Sequence, residues 1–299
     1  MPLLINPTNS AFPAWRQAGF NPNHIVSRGM SPGCGLSCIP GPSGAMVNLL
    51  NGKIGSPLGT GFIGVVVRPQ ILSVIGPTNF YEQDSAYELR NAFPGNFSHD
   101  PSEITIACIF QSVGPRGLQY PCMFVNTAGG GGGIMTLGTT ENTLELFATG
   151  DVPSTLVLAP NVPYFMAISA REIGSNAPVN FLLKRLDTGT VVTQFTTAFS
   201  IPPGSFFTDG TYLVGNNAFT AGQGANGYIA AVMYSEVFTS MQTLLWWSQD
   251  PWSFWYPNPF NDFEVDDFAV GASASPTSLT AVIPIQWNAS WRKTRTVAY

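Results

Sequence analysis

Ile104-Thr105-Ile106-Ala107-Cys108-Ile109-Phe110 is the stretch that decides the fold. It is apolar and rich in β-branched residues, and it alternates well enough to line a sheet whose side chains point to opposite faces in turn. Similar short runs lie on either side of it. Upstream are residues 62–67, a β-branched run closed by Pro69, then 71–75 and 87–89. Downstream are 121–126, 134–137, 144–148, 164–170, 180–186, 191–195, 212–215 and 228–233. Turn chemistry separates them: Thr140-Glu141-Asn142 within one hairpin, Asp187-Thr188-Gly189 within another, and five glycines at 129–133. About a dozen short strands with almost no helical period predict an all-β, two-sheet antiparallel sandwich or jelly roll. One short helix is expected within 235–247, with Thr239 as its cap, Gln242 completing a capping box, and Asp250-Pro251 beyond its end.

Composition agrees with a folded, turn-rich chain. Hydrophobic residues make up 44% of the 299 and charged ones only 10%, against roughly 25% charged in an average domain. The 31 glycines and 25 prolines fit many turns, whereas disorder would need low hydrophobicity and high charge. So few charges suit a surface packed against neighbours or sugars. The net charge of −5 comes without a basic stripe; Arg292, Lys293 and Arg295 form the one basic cluster. Counterion release from phosphates needs far more, so nucleic acid is not an expected partner. Neither a secretory signal nor an apolar run long enough to span a membrane is read in the chain. Synthesis in a cytoplasm is the expectation. Cys34, Cys38, Cys108 and Cys122 lack the paired spacing of a four-thiolate zinc site and are expected as thiols. Pairing of Cys34 with Cys38 or of Cys108 with Cys122 would require export or release from the cell.

The ends differ from the middle. Residues 1–60 carry Asn6-Pro7, Asn21-Pro22, Pro32-Gly33 and Pro40-Gly41-Pro42, which forbid long ladders and helices. They read as an extended arm plus an entry strand, anchored by Phe12, Trp15 and Phe20. The sandwich is placed at 61–257, and 258–299 as a C-terminal arm with a small-residue linker and a strand-like Val282-Ile283-Pro284-Ile285.

Residues 210–257 read G-T-Y-L-V-G-N-N, a Gly-rich loop, then N-G-Y-I-A-A-V-M-Y-S-E-V-F-T-S-M-Q-T-L-L-W-W-S-Q-D-P-W-S-F-W-Y-P. This resembles the closing part of concanavalin-A-like, laminin-G-like domains. There a "hydrophobic-G-N" strand precedes a "G-x-I-x-x-V-x-hydrophobic-Y" strand and a short capped helix. The D-P-W ending with an aromatic-Pro tail resembles versions in tailed bacteriophages, prophages and bacteria. Asn21-Pro22-Asn23-His24 followed by Arg28-Gly29 resembles the family's entry segment. Residues 31–36, with Pro and Cys, depart from its usual first strand, and a calcium-binding Asp pair is not evident.

The resemblance and the arms together imply a non-enzymatic structural protein of a tailed-phage virion, a capsid decoration or a head- or tail-associated component. Its partners would be other virion proteins and its own copies. Trp15, Trp252, Trp255, Tyr256, Trp287 and Trp291 are the expected interface anchors. The run 252–263 is too apolar to be left in water, so it either folds over its own sandwich or docks on a partner. Two alternatives stand beside this. One is a lectin-like module for host surface glycans, gripping sugar at a loop rim of Asp209, Tyr212, Asn216 and Asn217. A calcium ion at that rim is the only cofactor considered, and ordinary turn chemistry explains the same residues. The other is a sandwich glycosidase, which needs two opposed carboxylates. Glu264-Val265-Asp266 has the spacing but not the context, and Glu141 and Glu145 are not expected to share a face. His24 and His99 read as turn or surface residues rather than members of a triad, and 129–133 as a flexible loop rather than a phosphate cradle.

Overall fold

The computed structural model describes residues 12, 13, 16–24, 26, 27, 30, 35–41, 45–57, 68–72, 74–81, 87–90, 100–114, 119–125, 134–137, 142–148, 150–206, 211–215 and 225–257. All lie in one unit, Met1–Asn261. Sixteen strands and one helix follow in order: β1 (Leu36–Pro40), β2 (Met46–Asn48), β3 (Ser56–Pro57), β4 (Arg68–Leu72), β5 (Gly76–Tyr81), β6 (Tyr87–Arg90), β7 (Glu103–Ser112), β8 (Gln119–Val125), β9 (Ile134–Leu137), β10 (Thr143–Phe147), β11 (Asp151–Val157), β12 (Pro163–Arg171), β13 (Gly174–Arg185), β14 (Val191–Ile201), β15 (Thr211–Val214), β16 (Gly227–Ser235) and α1 (Met241–Trp247). The run expected at 62–67 lies outside the described residues. The first sheet runs β14-β13-β12-β7-β16-β1-β2, with β5 also on β16 and β4 on β5; the second runs β11-β10-β9-β8-β15-β6-β3. Every pairing between these strands is antiparallel, so the chain is the two-sheet sandwich that the strand pattern predicts.

The deciding stretch became β7, at the middle of the first sheet, and both of its faces are covered. Ile104, Ile106, Cys108 and Phe110 enter the core between the sheets, with Leu137, Leu144, Leu146 and Val152 from the second sheet. Ala107 and Ile109 face the other way into a second core. Two buried faces explain why β7 reads as nearly continuous apolar sequence instead of apolar-polar alternation. Its neighbour β12 divides the same way, Met166 and Ile168 inward, Phe165 and Ala167 outward. In β16 the register slips between Ile229 and Ala231. That bulge sends Ala230 and Ala231 both outward, between the inward Ile229 and Val232.

A cap forms the second core. It consists of α1, the aromatic residues after it and the N-terminal stretch 12–30. Leu244 and Trp247 point down from α1; Trp252, Phe254, Trp255 and Tyr256 join them, all buried. Trp255 Nε1 donates to Val232 O (3.2 Å) and Trp247 Nε1 to Pro251 O (3.3 Å), so these rings leave no indole N–H stranded. Each ring of this size takes roughly 150–250 Å² out of water, worth on the order of 4–6 kcal/mol. That is the reason the interface expected of Trp252, Trp255 and Tyr256 is corrected: their apolar area is spent inside the chain's own fold.

The N-terminal stretch is stitched onto this cap. Gly19 N donates to Trp255 O (2.9 Å), Asn21 N to Phe254 O (3.2 Å) and Asn21 Nδ2 to Ser253 O (2.9 Å). Arg16 pairs with Asp250 at 2.6 Å. Phe12 stands edge-on to Trp252 (5.2 Å between ring centres) and to Tyr256 (5.1 Å). A Cβ on Gly76 would come within 2.3 Å of the Phe12 ring, so glycine makes the seat for it.

Two local expectations shift. The helix is capped by Ser240, whose hydroxyl accepts from Thr243 N, and not by Thr239. Thr239 is buried, its hydroxyl 2.8 Å from Thr105 Oγ1. In the sandwich core Cys38 and Cys108 both sit opposite Val232, one on each side of β16. Two strand spacings, roughly 10 Å, separate them, which is too far for a bridge between the two. Cys34 lies outside the described residues.

Candidate functional site

The β10–β11 hairpin at one edge of the second sheet buries its inner face and presents the other. Along β10 Leu144 and Leu146 are buried while Thr143, Glu145 and Phe147 point out; along β11 Val152, Ser154 and Leu156 are inside while Asp151, Pro153, Thr155 and Val157 are exposed. Glu145 stands opposite Pro153, and Phe147 opposite Asp151. Glu145 and Asp151 are therefore diagonal neighbours on one face, with Cα atoms roughly 7–8 Å apart. Partial burial pushes the Glu145 carboxyl above the usual carboxylate range; the hydroxyl of Thr143, donating at 3.1 Å, pulls the other way, and the charge of Asp151 adds to the rise. A carboxyl whose hold on its proton is strengthened thus stands beside a second carboxyl on an exposed, partly aromatic surface.

The hairpin is held firmly. Ser154 Oγ donates to Leu144 O (2.6 Å) and accepts from Leu156 N (3.0 Å). Gln194 of β14 accepts from both Thr155 N (2.7 Å) and Thr155 Oγ1 (2.9 Å), tying the edge of one sheet to the edge of the other.

Several other described carboxyls have structural work or differ in setting. Glu172 is pushed up chiefly by burial, yet its oxygens are taken by Gly204 N (3.1 Å) and Phe206 N (2.5 Å). Glu103 holds Arg171 Nε (2.7 Å) and Phe238 N (3.0 Å). Glu236, just past β16, is raised by burial to about 7. Lys184 is buried beneath α1, where it donates to Ser248 O at the helix C-terminus, a favourable place for a cation. Among the described residues no group of three or more His, Cys, Asp or Glu side chains is placed to hold a metal ion.

The residues singled out from sequence fare differently. Tyr212 lies in the middle of β15, hydrogen-bonded between β6 and β8, within a sheet and not on a loop. Asp209, Asn216 and Asn217 lie outside the described residues, as do Trp15, Trp287, Trp291, His99, Glu141, Glu264, Asp266 and the five glycines. His24 is corrected from a turn or surface residue to a buried one. Its ring packs against Trp247 (4.9 Å) and Phe254 (5.3 Å), Val26 N donates to its Nδ1 (3.4 Å), Nε2 has no hydrogen-bond partner, and burial lowers its pKa to about 3. Asp151 was not read as a candidate, because its kinship with Glu145 depends on the hairpin register and on no motif.

No family model matches this sequence, and no curated protein does. Several solved chains share the architecture at low identity. The enzymatically active domain of tailspike protein 2 of bacteriophage CBA120 is 17% identical, with a TM-score of 0.46 over 66% of this chain and 31% of that one. A GH54 α-L-arabinofuranosidase is 11% identical (TM-score 0.47, 71% and 51% covered), and Trypanosoma rangeli sialidase 9% identical (0.48, 75% and 34%). The chain thus spans under a third of the tailspike domain and about half of the arabinofuranosidase. The all-β sandwich rests on the chain's own strand pairing, and the concanavalin-A or laminin-G branch is not singled out. The expectation of a protein without enzymatic activity is withdrawn: the solved chains it is similar to are named as an enzymatically active domain, an arabinofuranosidase and a sialidase, and those activities are said of them alone. Among the described residues no helix is long and apolar enough to cross a membrane.

Proposed function

We propose that this sandwich is a carbohydrate-active domain that holds a glycan on the outer face of the β10–β11 hairpin. Glu145 would serve there as proton donor and Asp151 as the opposing carboxylate. One observation supports it: two carboxyls share an exposed face, and the environment of one raises its affinity for a proton. Glycoside cleavage uses two carboxyls about the scissile bond, and an acid with a raised affinity for its proton is what the donor role asks for. Glu145 would protonate the departing glycosidic oxygen, and Asp151 would attack the anomeric carbon or activate water to do so. Phe147, directly opposite Asp151, offers a ring face on which a sugar can stack.

The test is a panel of neutral and acidic polysaccharides, scored for binding by affinity electrophoresis and for cleavage by new reducing ends. The intact chain should bind at least one of them and release ends from it. Glu145→Gln should lose cleavage by roughly two orders of magnitude or more while still binding. Binding with no cleavage by the intact chain would reduce the domain to a lectin-like one. Neither binding nor cleavage anywhere in the panel, or full activity in Glu145→Gln, would overturn the proposal.

A further inference from the structure

Among the described residues the first sheet ends on β14 at one side and on β2 and β4 at the other; the second ends on β11 and β3. An edge strand offers a row of unpaired N–H and C=O groups, and proteins blunt such edges with charge, proline, brevity or a cover. Four of these five edges are blunted. Strand β2 has three residues and is covered by the Val47–Ile54 bridge. Strand β3 has two residues and contains Pro57, and β4 contains Arg68 and Pro69. Strand β11 carries Asp151 and Pro153, and the N–H of Thr155 is already taken by Gln194.

Apart from the Gln194 side chain bonded to Thr155 of β11, strand β14 has none of these devices in its first half. Between Val191 and Ile201 it holds no charged residue and no proline. Val191 to Thr196 pair in unbroken register with Lys184 to Val179 of β13; the register shifts fall beyond Thr196. Val192 is 48% and Phe195 59% exposed, and among the described residues no strand pairs with this edge.

We infer that β14 pairs antiparallel with β14 of a second copy, about a two-fold axis at Thr193, extending the first sheet across both molecules. A neutral strand meets its own duplicate without repulsion, and a two-fold through Thr193 keeps matching faces together. It sets Phe195 of each copy directly opposite Val191 of the other, an aromatic-to-β-branched pair made twice. Main-chain bonds carry the contact, and the two Phe195 rings lose their exposure to water. So short a strand pair buries less than the roughly 1,200 Å² at the low end of stable interfaces, so dissociation is expected in the micromolar range. This inference is independent of the glycan site.

The experiment is sedimentation velocity of the full chain over a concentration series reaching about 200 µM, a ceiling set by the weak dimer expected. The unaltered chain should pass from monomer to dimer. Thr193→Lys and Thr193→Glu, each at an exposed position, should be monomeric alone at every concentration, with unchanged circular dichroism. Mixed one to one they should dimerise again, because the opposed charges now attract. A chain that stays monomeric, as expected if β14 instead receives a strand of another protein, overturns the inference. So does dimerisation of Thr193→Lys equal to that of the unaltered chain, or a mixture that fails to associate.

Discussion

His24 makes stability depend on pH in a way that one substitution isolates. Its ordinary pKa of 6.5 falls to about 3 in the folded chain, because burial against Trp247 and Phe254 disfavours the imidazolium. Between those two values the unfolded chain binds a proton at this site that the folded chain does not. Stability from His24 is therefore fully present above about pH 6.5 and is lost as pH falls toward about 3. The slope is about 1.4 kcal/mol per pH unit, so lowering the pH from about 7.5 to about 4.5 removes about 3 kcal/mol through this group alone. His24→Gln keeps an acceptor for Val26 N–H and cannot titrate. It should be less stable than the original at the higher pH through lost ring packing, yet lose about 3 kcal/mol less on acidification. Urea unfolding followed by tryptophan fluorescence, at both pH values and for both chains, measures this difference. His99 and all carboxyls are common to the two chains and cancel. Parallel pH dependences of the two chains, agreeing within roughly half a kcal/mol, would refute the reasoning, as would an original chain that loses less on acidification than His24→Gln.

Gly215→Ala should cost about 2–4 kcal/mol, seen as a lower melting temperature, because the position has φ +93° and a Cβ there would fall 2.3 Å from the Tyr81 ring. Trp255→Ala should cost about 3–5 kcal/mol and admit proteases near Gly19, whose N–H loses the geometry of its bond to residue 255. Ser240→Ala should cost about 1 kcal/mol and speed hydrogen exchange at the Thr243 amide; an equal acceleration in Thr239→Ala alone would return the cap to Thr239. If glycan cleavage is found, its rate should fall as pH rises through the Glu145 pKa, a limb set above the usual carboxylate range by burial. That limb should vanish in Glu145→Gln.

The strand content was legible because each run is short, apolar and bounded by turn residues, and β7, β9, β12 and β16 fall where those runs lie. Strand β11 was missed: its Asp151 and Pro153 are residues that strands disfavour, and the proline is tolerated there because the strand is an edge. The helix was found but its cap was displaced by one residue, since Thr239 and Ser240 are chemically equivalent caps and only tertiary contacts choose between them. The aromatic run after Pro251 could be seen to need cover, but nothing in its composition says whether cover comes from within or from a partner. The answer depends on a first sheet with two apolar faces, which appears only when the sheet order is known. Proximity of Glu145 to Asp151 is likewise a property of register, and the burial of His24 a property of the cap.

The edge-on contact of Phe12 with Tyr256 brings the two extremities of the described fold within a ring's width of each other. Between them the polypeptide traces a nearly closed circuit. Both extremities lie on the cap side, behind the first sheet and away from the β10–β11 surface. Such a circuit could be spliced into a longer polymer, or reopened at the 187–189 turn and rejoined across residues 257 and 12, with little disturbance to its interior.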